Sequence, residues 1–422
     1  MTTPTIPDTP AASRRVNVRT PEVMDRVQAQ VEEHYRSPLV ETIRERGGVF
    51  TVGNTTLRLA RDFGFCYGVE RAIDLAYAAR KVFADRRVFL LGEIIHNPEV
   101  NRQLADMGVI SIPVGKHEQE VAKLTCEDVV IVPAFGAETK LMDLISSRGC
   151  LVVDTTCGDV MSVWKRVRGY AKQGFTSIIH GKAVHEETRA TSSRALGDDG
   201  TGHFLVVLTL ADVDYVCDYI RRGGDKAEFL KRFPSNARSA GFDPELHLRK
   251  VGVANQTTML KSETEEIQRR VLKAIEDRDG GDRSNFQVFD TICGATQERQ
   301  DALFDMLRHK MDLLLVVGGY NSSNTTHLVE IGEQRLPTFF IRDAGCITSL
   351  EQIVHFDLHS KSETTSYSAK LAGGESVVVG ITAGASCPNN LIEDTIRRVF
   401  KLRGIDEAAV MRAATRQGSV SS

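Results

Sequence analysis

Three cysteines stand where a strand-like run gives way to a helix-like one: Cys66 in GFCYGVERA, Cys157 in DTTCGDVMSV and Cys293 in DTICGATQER. A helix start carries about half a positive charge, and its free N–H groups can donate to sulfur. That setting lowers a thiol pKa and suits metal ligation or nucleophilic attack. A random core cysteine would not recur at one position of a repeat. Cys126, Cys150, Cys217, Cys346 and Cys387 lie in or near apolar runs and are expected to pack as small hydrophobes. Three thiolates far apart in sequence do not read as a structural zinc site, which favours close cysteine pairs and four ligands. Zinc stays as the second candidate. A [4Fe–4S] cluster with one iron lacking a protein thiolate fits better. Iron–sulfur electron carriers usually have four cysteine ligands. A missing fourth would leave a Lewis-acidic iron open to an oxygen ligand, as in catalytic zinc sites.

Other loops carry polar chemistry. His96 lies in EIIHNPE, Phe135 in PAFGAET, and His185, Glu186 and Glu187 in KAVHEET. Thr257 and Thr258 lie in NQTTM, Asn321 to Asn324 in GYNSSNTT, and Ser386 in TAGAS. The set is rich in hydroxyls, amides and imidazoles. With helix N-termini, such groups suit a phosphate or diphosphate. Glu187 or Glu186, beside His185, supplies a candidate acid. Taken singly, Ser322, Asn324 and His96 could be ordinary caps of helices. Taken together on one rim with three cysteines, they read as a site.

The elements that must position these residues follow one pattern. Nine times from Thr56 onward, a short β-branched apolar run leads through a small polar loop into a helix-period segment. Continuous apolar strands alternating with helices predict parallel sheets covered on both faces. Ligands in such folds bind beyond the strand carboxyl ends, where the nine loops lie. Units one, four and seven carry the cysteines. The expected architecture is therefore three related α/β domains with mostly parallel sheets around a pseudo-threefold central cluster site. The boundaries read as an N-terminal arm over 1–55, partly disordered, then domains over 56–156, 157–292 and 293–403, and a tail over 404–422. The first strand of the first domain is a candidate to join the third. Looser stretches interrupt at 194–248 and 337–374, and a helix is predicted over 21–46.

The whole chain has 422 residues, 41% of them hydrophobic, and a net charge of −3. That excludes a broad basic field for nucleic acid or an anionic membrane. No apolar run is long enough to span a bilayer, and no secretory h-region is visible. Reduced thiols and a cytoplasmic setting are expected, with a plastid stroma as the weaker reading of the Thr- and Arg-rich first twenty residues.

GFCYGVERA, IIHNPEV, DTTCGDV, HGKAVHEET, NQTTM, NSSN and TAGAS, in this order, resemble the 4-hydroxy-3-methylbut-2-enyl diphosphate reductase family. That family performs the last step of the non-mevalonate isoprenoid pathway. The resemblance runs over 56–403. It implies a [4Fe–4S] cluster on Cys66, Cys157 and Cys293. It implies a diphosphate held by His96, His185, Thr257, Ser322, Ser323, Asn324 and Ser386, with Thr258 and Thr296 as further active-site hydroxyls and Glu187 as the acid. The allylic hydroxyl would dock on the open iron and leave as water with two electrons and two protons, giving isopentenyl and dimethylallyl diphosphate. Ferredoxin or flavodoxin is the implied electron donor. Many bacterial members have histidine where this chain has Phe135; AFGA resembles the branch typical of oxygenic phototrophs. A non-catalytic metal- or cluster-containing anion-binding protein is the alternative, and it leaves Glu187 beside His185 unexplained. A cysteine acyl transferase would need one dominant nucleophile rather than three equivalent ones.

Overall fold

The computed structural model describes residues 14–289, 291–372 and 374–416. Strands in chain order are β1 (Arg14–Arg15), β2 (Val49–Val52), β3 (Thr55–Leu59), β4 (Val88–Leu91), β5 (Val109–Ile112) and β6 (Val129–Val132). They continue with β7 (Leu151–Asp154), β8 (Thr176–His180), β9 (Phe204–Val207), β10 (Val251–Asn255) and β11 (Phe286–Val288). The last are β12 (Leu313–Val317), β13 (Thr338–Ile341), β14 (Gln352–Asp357), β15 (Ser362–Tyr367) and β16 (Val377–Ala383). The residues divide into two compact units. One holds the N-terminal stretch to Val27, Arg71–Ile95 and Glu99–Ile292; the other holds Gln28–Glu70, His96–Pro98 and everything from Cys293.

The first unit contains two sheets, ordered β1-β7-β6-β4-β5 and β11-β10-β8-β9; the second contains β13-β12-β16-β3-β2 and the hairpin β14-β15. All pairings in the three large sheets are parallel except β2 with β3. Stripped of the edge additions β1 and β2, each sheet has one order. Numbering β4, β5, β6 and β7 as first to fourth, the order is fourth-third-first-second. The same holds for β8 to β11, and for β12, β13, β16 and β3. The third set is circularly permuted: its fourth strand, β3, precedes the rest in the chain. All nine apolar runs of the sequence pattern are strands here. β4, β6, β8, β10 and β12 are buried at every residue, which is why they read as continuous apolar runs instead of alternating ones.

Two expectations differ from the structure. The single helix over 21–46 is two helices, Pro21–Tyr35 and Pro38–Glu45. Pro38 has no N–H to donate, and Ser37 accepts from Val40 N–H at 3.0 Å to start a new helix. The looser stretches carry β9 and β13 to β15, and β9 and β13 complete their sheets. Four-residue strands are too short to declare a period among turn residues. Within 194–248, Phe229 is fully buried with Tyr219, Phe233 and Phe242 in a core shared with Ile178, Val253 and Ile267, so this stretch packs onto its sheet. Of the expected arm, residues 1–13 lie outside the described residues. Val16 N–H donates to Val152 O at 3.0 Å, and Val18 is buried. The expected tail contains the helix Glu407–Arg416; residues 417–422 lie outside the described residues. Among the described residues no helix is long and apolar enough to cross a membrane.

One close approach holds the middle sheet to its covering helix. A Cβ on Gly252 of β10 would stand 2.6 Å from the Tyr170 ring, whose hydroxyl donates to Val253 O at 3.0 Å. Gly252→Ala is expected to cost about 1–3 kcal/mol by driving that buried ring from its place. Thermal unfolding would read this as a lower midpoint, and an unchanged midpoint would show that the ring yields freely.

Candidate active site

The three cysteines occupy one topological position. Cys66 follows β3, Cys157 follows β7 and Cys293 follows β11, each the fourth strand of its sheet. Each then opens the helix that crosses to the next sheet. The Cys66, Cys157 and Cys293 carbonyls accept the first helical bond from Glu70, Met161 and Gln297 N–H at 2.9, 3.0 and 3.1 Å. Cys157 and Cys293 have extended N-cap backbones, and neither thiol caps its own helix. All three are partly exposed and free of disulfide. Such thiols, beside unpaired helical N–H groups, suit a metal or cluster ligand.

The other cysteines behave differently. Cys150, Cys217, Cys346 and Cys387 are buried, as expected of packing residues, but Cys126 is exposed. It lies in the loop before β6, where an apolar neighbourhood in sequence is not one in space. Burial pushes the Cys150 thiol up to about 11, with Asp128 adding to it, and pushes Cys217 up to about 12. Burial also raises Cys387.

In the first unit, the loops of His185, Thr257 and Phe135 meet. His185 is the N-cap of the helix Glu186–Ala195; its Nδ1 accepts from Glu187 N–H at 3.2 Å. That leaves the neutral ring's proton on Nε2, a donor suited to an anion. Glu187 is buried, and its Oε1 accepts from Thr257 N–H at 2.6 Å. Gln256, fully buried, stitches the same loops. Its Oε1 accepts from Thr188 Oγ1 at 3.0 Å and Lys182 N–H at 3.2 Å, and its Nε2 donates to Thr258 Oγ1 at 2.9 Å. Phe135 meets the His185 ring edge-on, with centroids 6.0 Å apart. Gly136 beside it has φ +78°, and a Cβ there would collide with Trp164 at 2.3 Å, so glycine is required. Trp164 belongs to the helix that Cys157 opens, and Cys157 N–H donates to Ala134 O at 2.9 Å. The Phe135 loop is thus fixed to both Cys157 and His185.

In the second unit, Cys66, His96, Asn324 and Ser386 are linked. Cys66 N–H donates to Ala385 O at 3.2 Å, Ala385 N–H donates to Asn324 Oδ1 at 2.9 Å, and Ser386 Oγ donates to His96 O at 3.2 Å. Ser322 caps the helix Ser323–Glu333, accepting from Thr325 N–H at 3.3 Å and Thr325 Oγ1 at 2.9 Å. The cap reading is therefore correct for Ser322 itself. Asn324 has a further property: its buried Nδ2 has no protein partner among the described residues. A buried amide without an acceptor costs free energy, and an anionic ligand would supply that acceptor. Ser323, Asn324, Ser386 and His96 are all buried, as is Thr296 in the first turn after Cys293.

Residues 57–400 match the family model described as LytB protein. The chain belongs to the LytB family. Curated relatives named 4-hydroxy-3-methylbut-2-enyl diphosphate reductase include one from Gloeobacter violaceus, 46% identical over 92% of this chain and 92% of its own length. Another, from Thermosynechococcus vestitus, is 45% identical over 90% of this chain and 93% of its own. Two solved structures share the fold. A Plasmodium falciparum E-1-hydroxy-2-methyl-but-2-enyl-4-diphosphate reductase has a TM-score of 0.59 at 21% identity, covering 83% of this chain and 90% of its own. An (E)-4-hydroxy-3-methyl-but-2-enyl diphosphate reductase has a TM-score of 0.50 at 24% identity, covering 83% of this chain and all of its own.

Three residues near these loops were not singled out in the LytB sequence pattern. Gln256 sits inside NQTTM, and its burial at a strand end was the available signal. Arg71 and Arg299, five and six residues beyond their cysteines, carried none, because their partners are remote backbone carbonyls. In metal-free protein at pH 8, a thiol with a pKa near 11 is thiolate in only about one molecule in a thousand. Iodoacetamide is therefore expected to label Cys66, Cys157 and Cys293 at least tenfold faster than Cys150, Cys217 or Cys387, a roughly set bound. Peptide mass spectrometry reads this, and equal rates would remove the distinction.

Proposed function

We propose that this LytB chain reductively removes the hydroxyl of (E)-4-hydroxy-3-methylbut-2-enyl diphosphate, giving isopentenyl and dimethylallyl diphosphate. The observation that carries the reading is the threefold recurrence of a helix-opening cysteine after the same strand of three identically ordered sheets. Relatives 45% and 46% identical bear the corresponding name.

Cys66, Cys157 and Cys293 would hold a [4Fe–4S] cluster, one iron of which lacks a protein thiolate. The fit rests on three partly exposed cysteines outside any disulfide, each opening a helix, with no fourth equivalent among the described residues. When bound, such a cluster supplies electrons and a Lewis-acidic iron. The rest belongs to the chain's own residues. The diphosphate would be held by His96, His185, Thr257, Ser322, Ser323, Asn324 and Ser386. The Nε2–H of His185, and Asn324 Nδ2, which has no protein partner among the described residues, are suited donors. Thr258 and Thr296 would contribute hydroxyls near the reacting end. Glu187 would deliver a proton from its carboxyl, and the Thr257 N–H fixes that group's orientation. Phe135 can neither donate nor accept; its edge contact would hold the His185 ring in the donating pose. Two electrons and two protons release the hydroxyl as water. Ferredoxin or flavodoxin would deliver the electrons one at a time, in a cytoplasm that keeps all eight cysteines reduced.

Anaerobic turnover with a reduced viologen, followed by product analysis, tests the activity; near-stoichiometric zinc without sulfide would sink the cluster. Glu187→Gln is expected to retain cluster absorbance and substrate binding while turnover falls about 100-fold or more, the scale of a lost general acid. Near-normal turnover would remove Glu187 from the acid role. Serine at position 66, 157 or 293 is expected to abolish or destabilise the cluster absorbance, whereas Cys150→Ser leaves it unchanged.

A further inference from the structure

The helix opened by one cysteine carries an arginine that grips the segment in front of another. Arg299, on the helix after Cys293, donates to Gly64 O at 2.7 Å and Phe65 O at 3.1 Å, and Phe65 immediately precedes Cys66. Arg71, on the helix after Cys66, donates to Thr155 O at 3.4 Å and Thr156 O at 3.2 Å, and Thr156 immediately precedes Cys157. The helix after Cys157 completes the order in a different way. Arg166 lies 4.1 Å over the ring of Phe289, four residues before Cys293, and Tyr170 stacks on that ring's plane. The order 66 to 157 to 293 to 66 is therefore cyclic.

The energetics favour a specific role over general packing. Arg299 is 5% exposed, and among the described residues its nearest acid, Glu298, is 4.0 Å away and itself largely exposed. A guanidinium is costly to bury without a close counter-ion, so the carbonyls it collects must compensate. Two of its three carbonyl acceptors, Gly64 O and Phe65 O, lie just before Cys66; the third is Ala295 O of its own helix. Arg44 adds a second hold on the same loop, donating to Phe63 O at 3.2 Å. A loop at a strand end would otherwise be among the more mobile parts of the chain.

We propose that Arg299 and Arg71 are positioning residues for the Cys66 and Cys157 thiolates. Each holds the backbone one residue before the ligand, so the ligand set is aimed before any cluster is built. This rests on the reading of the three cysteines as cluster ligands, and it makes the cysteines interdependent. Damage at the helix of one appears at the thiol of another.

The test compares Arg299→Met and Arg71→Met with Arg299→Lys and Arg71→Lys in the full chain. In anaerobically purified holoprotein, iron loss to a chelator is expected to quicken about 10-fold in each methionine variant, the usual effect of losing an outer-shell partner. The lysine variants should recover part of it. In metal-free protein, Arg299→Met is expected to change the alkylation rate at Cys66 alone, and Arg71→Met at Cys157 alone, read peptide by peptide. Iron loss within about twofold of the parent in folded methionine variants would overturn the proposal. So would equal changes at all three cysteines accompanying a lower unfolding midpoint, which would mark a general loss of stability. Parent protein without iron or sulfide would instead overturn the cluster reading, and the alkylation rates would still decide the role of the arginines.

Discussion

A parallel strand leads through a short loop into a helix N-terminus, and the candidate chemistry of this chain depends on that junction. The first N–H groups of the helix have no partner within it, and they carry partial positive charge. A thiol placed there by β3, β7 or β11 sits at the first turn of a helix. The side chains of His185 and Ser322 open helices of their own, each accepting a backbone N–H of the first turn. The sheets must be covered on both faces to form at all, and their uniform order repeats the junction instead of creating it once. The catalytic proposal is thus a consequence of one supersecondary arrangement used three times.

The same burial that shapes the junction demands that every polar group near it be answered. Gln256 shows the demand met: a fully buried side chain whose oxygen and nitrogen bind three neighbours across two loops. Glu187 shows it met at a buried carboxyl, where one oxygen takes the Thr257 N–H. Asn324 shows the demand left open at Nδ2, and this contrast points to a ligand. Phe135 fits the same account. It removes a donor from the rim, and its ring sits edge-on to the imidazole of His185.

Much of this was legible from residue order. Runs such as VFLL, VVIV and LLLVV announce buried parallel strands, and the recurrence of cysteine at the strand-to-helix turn of three units announces equivalence. The two interruptions were not legible as structure. β9 and β13 are four residues long, and the strands are assigned to their sheets by pairing with remote partners, β8 and β12. The break at Ser37 and Pro38 was legible in principle, since proline and its capping neighbour are local signals, but the helical pattern on either side concealed it.

The sequence by itself determined the strand and helix pattern, the cysteine positions and the polar loop set, because these depend on local periodicity and on residue chemistry. Tertiary structure alone decided which loops meet, through contacts between residues far apart in the chain. It decided that Cys126 is exposed while Cys150 is not, and that Arg299 reaches the loop before Cys66. Backbone carbonyls carry no sequence signature, so an arginine that binds them looks like any other surface charge until the chain is folded. The three cysteines were the plainest residues in the sequence; what aims two of them was invisible there.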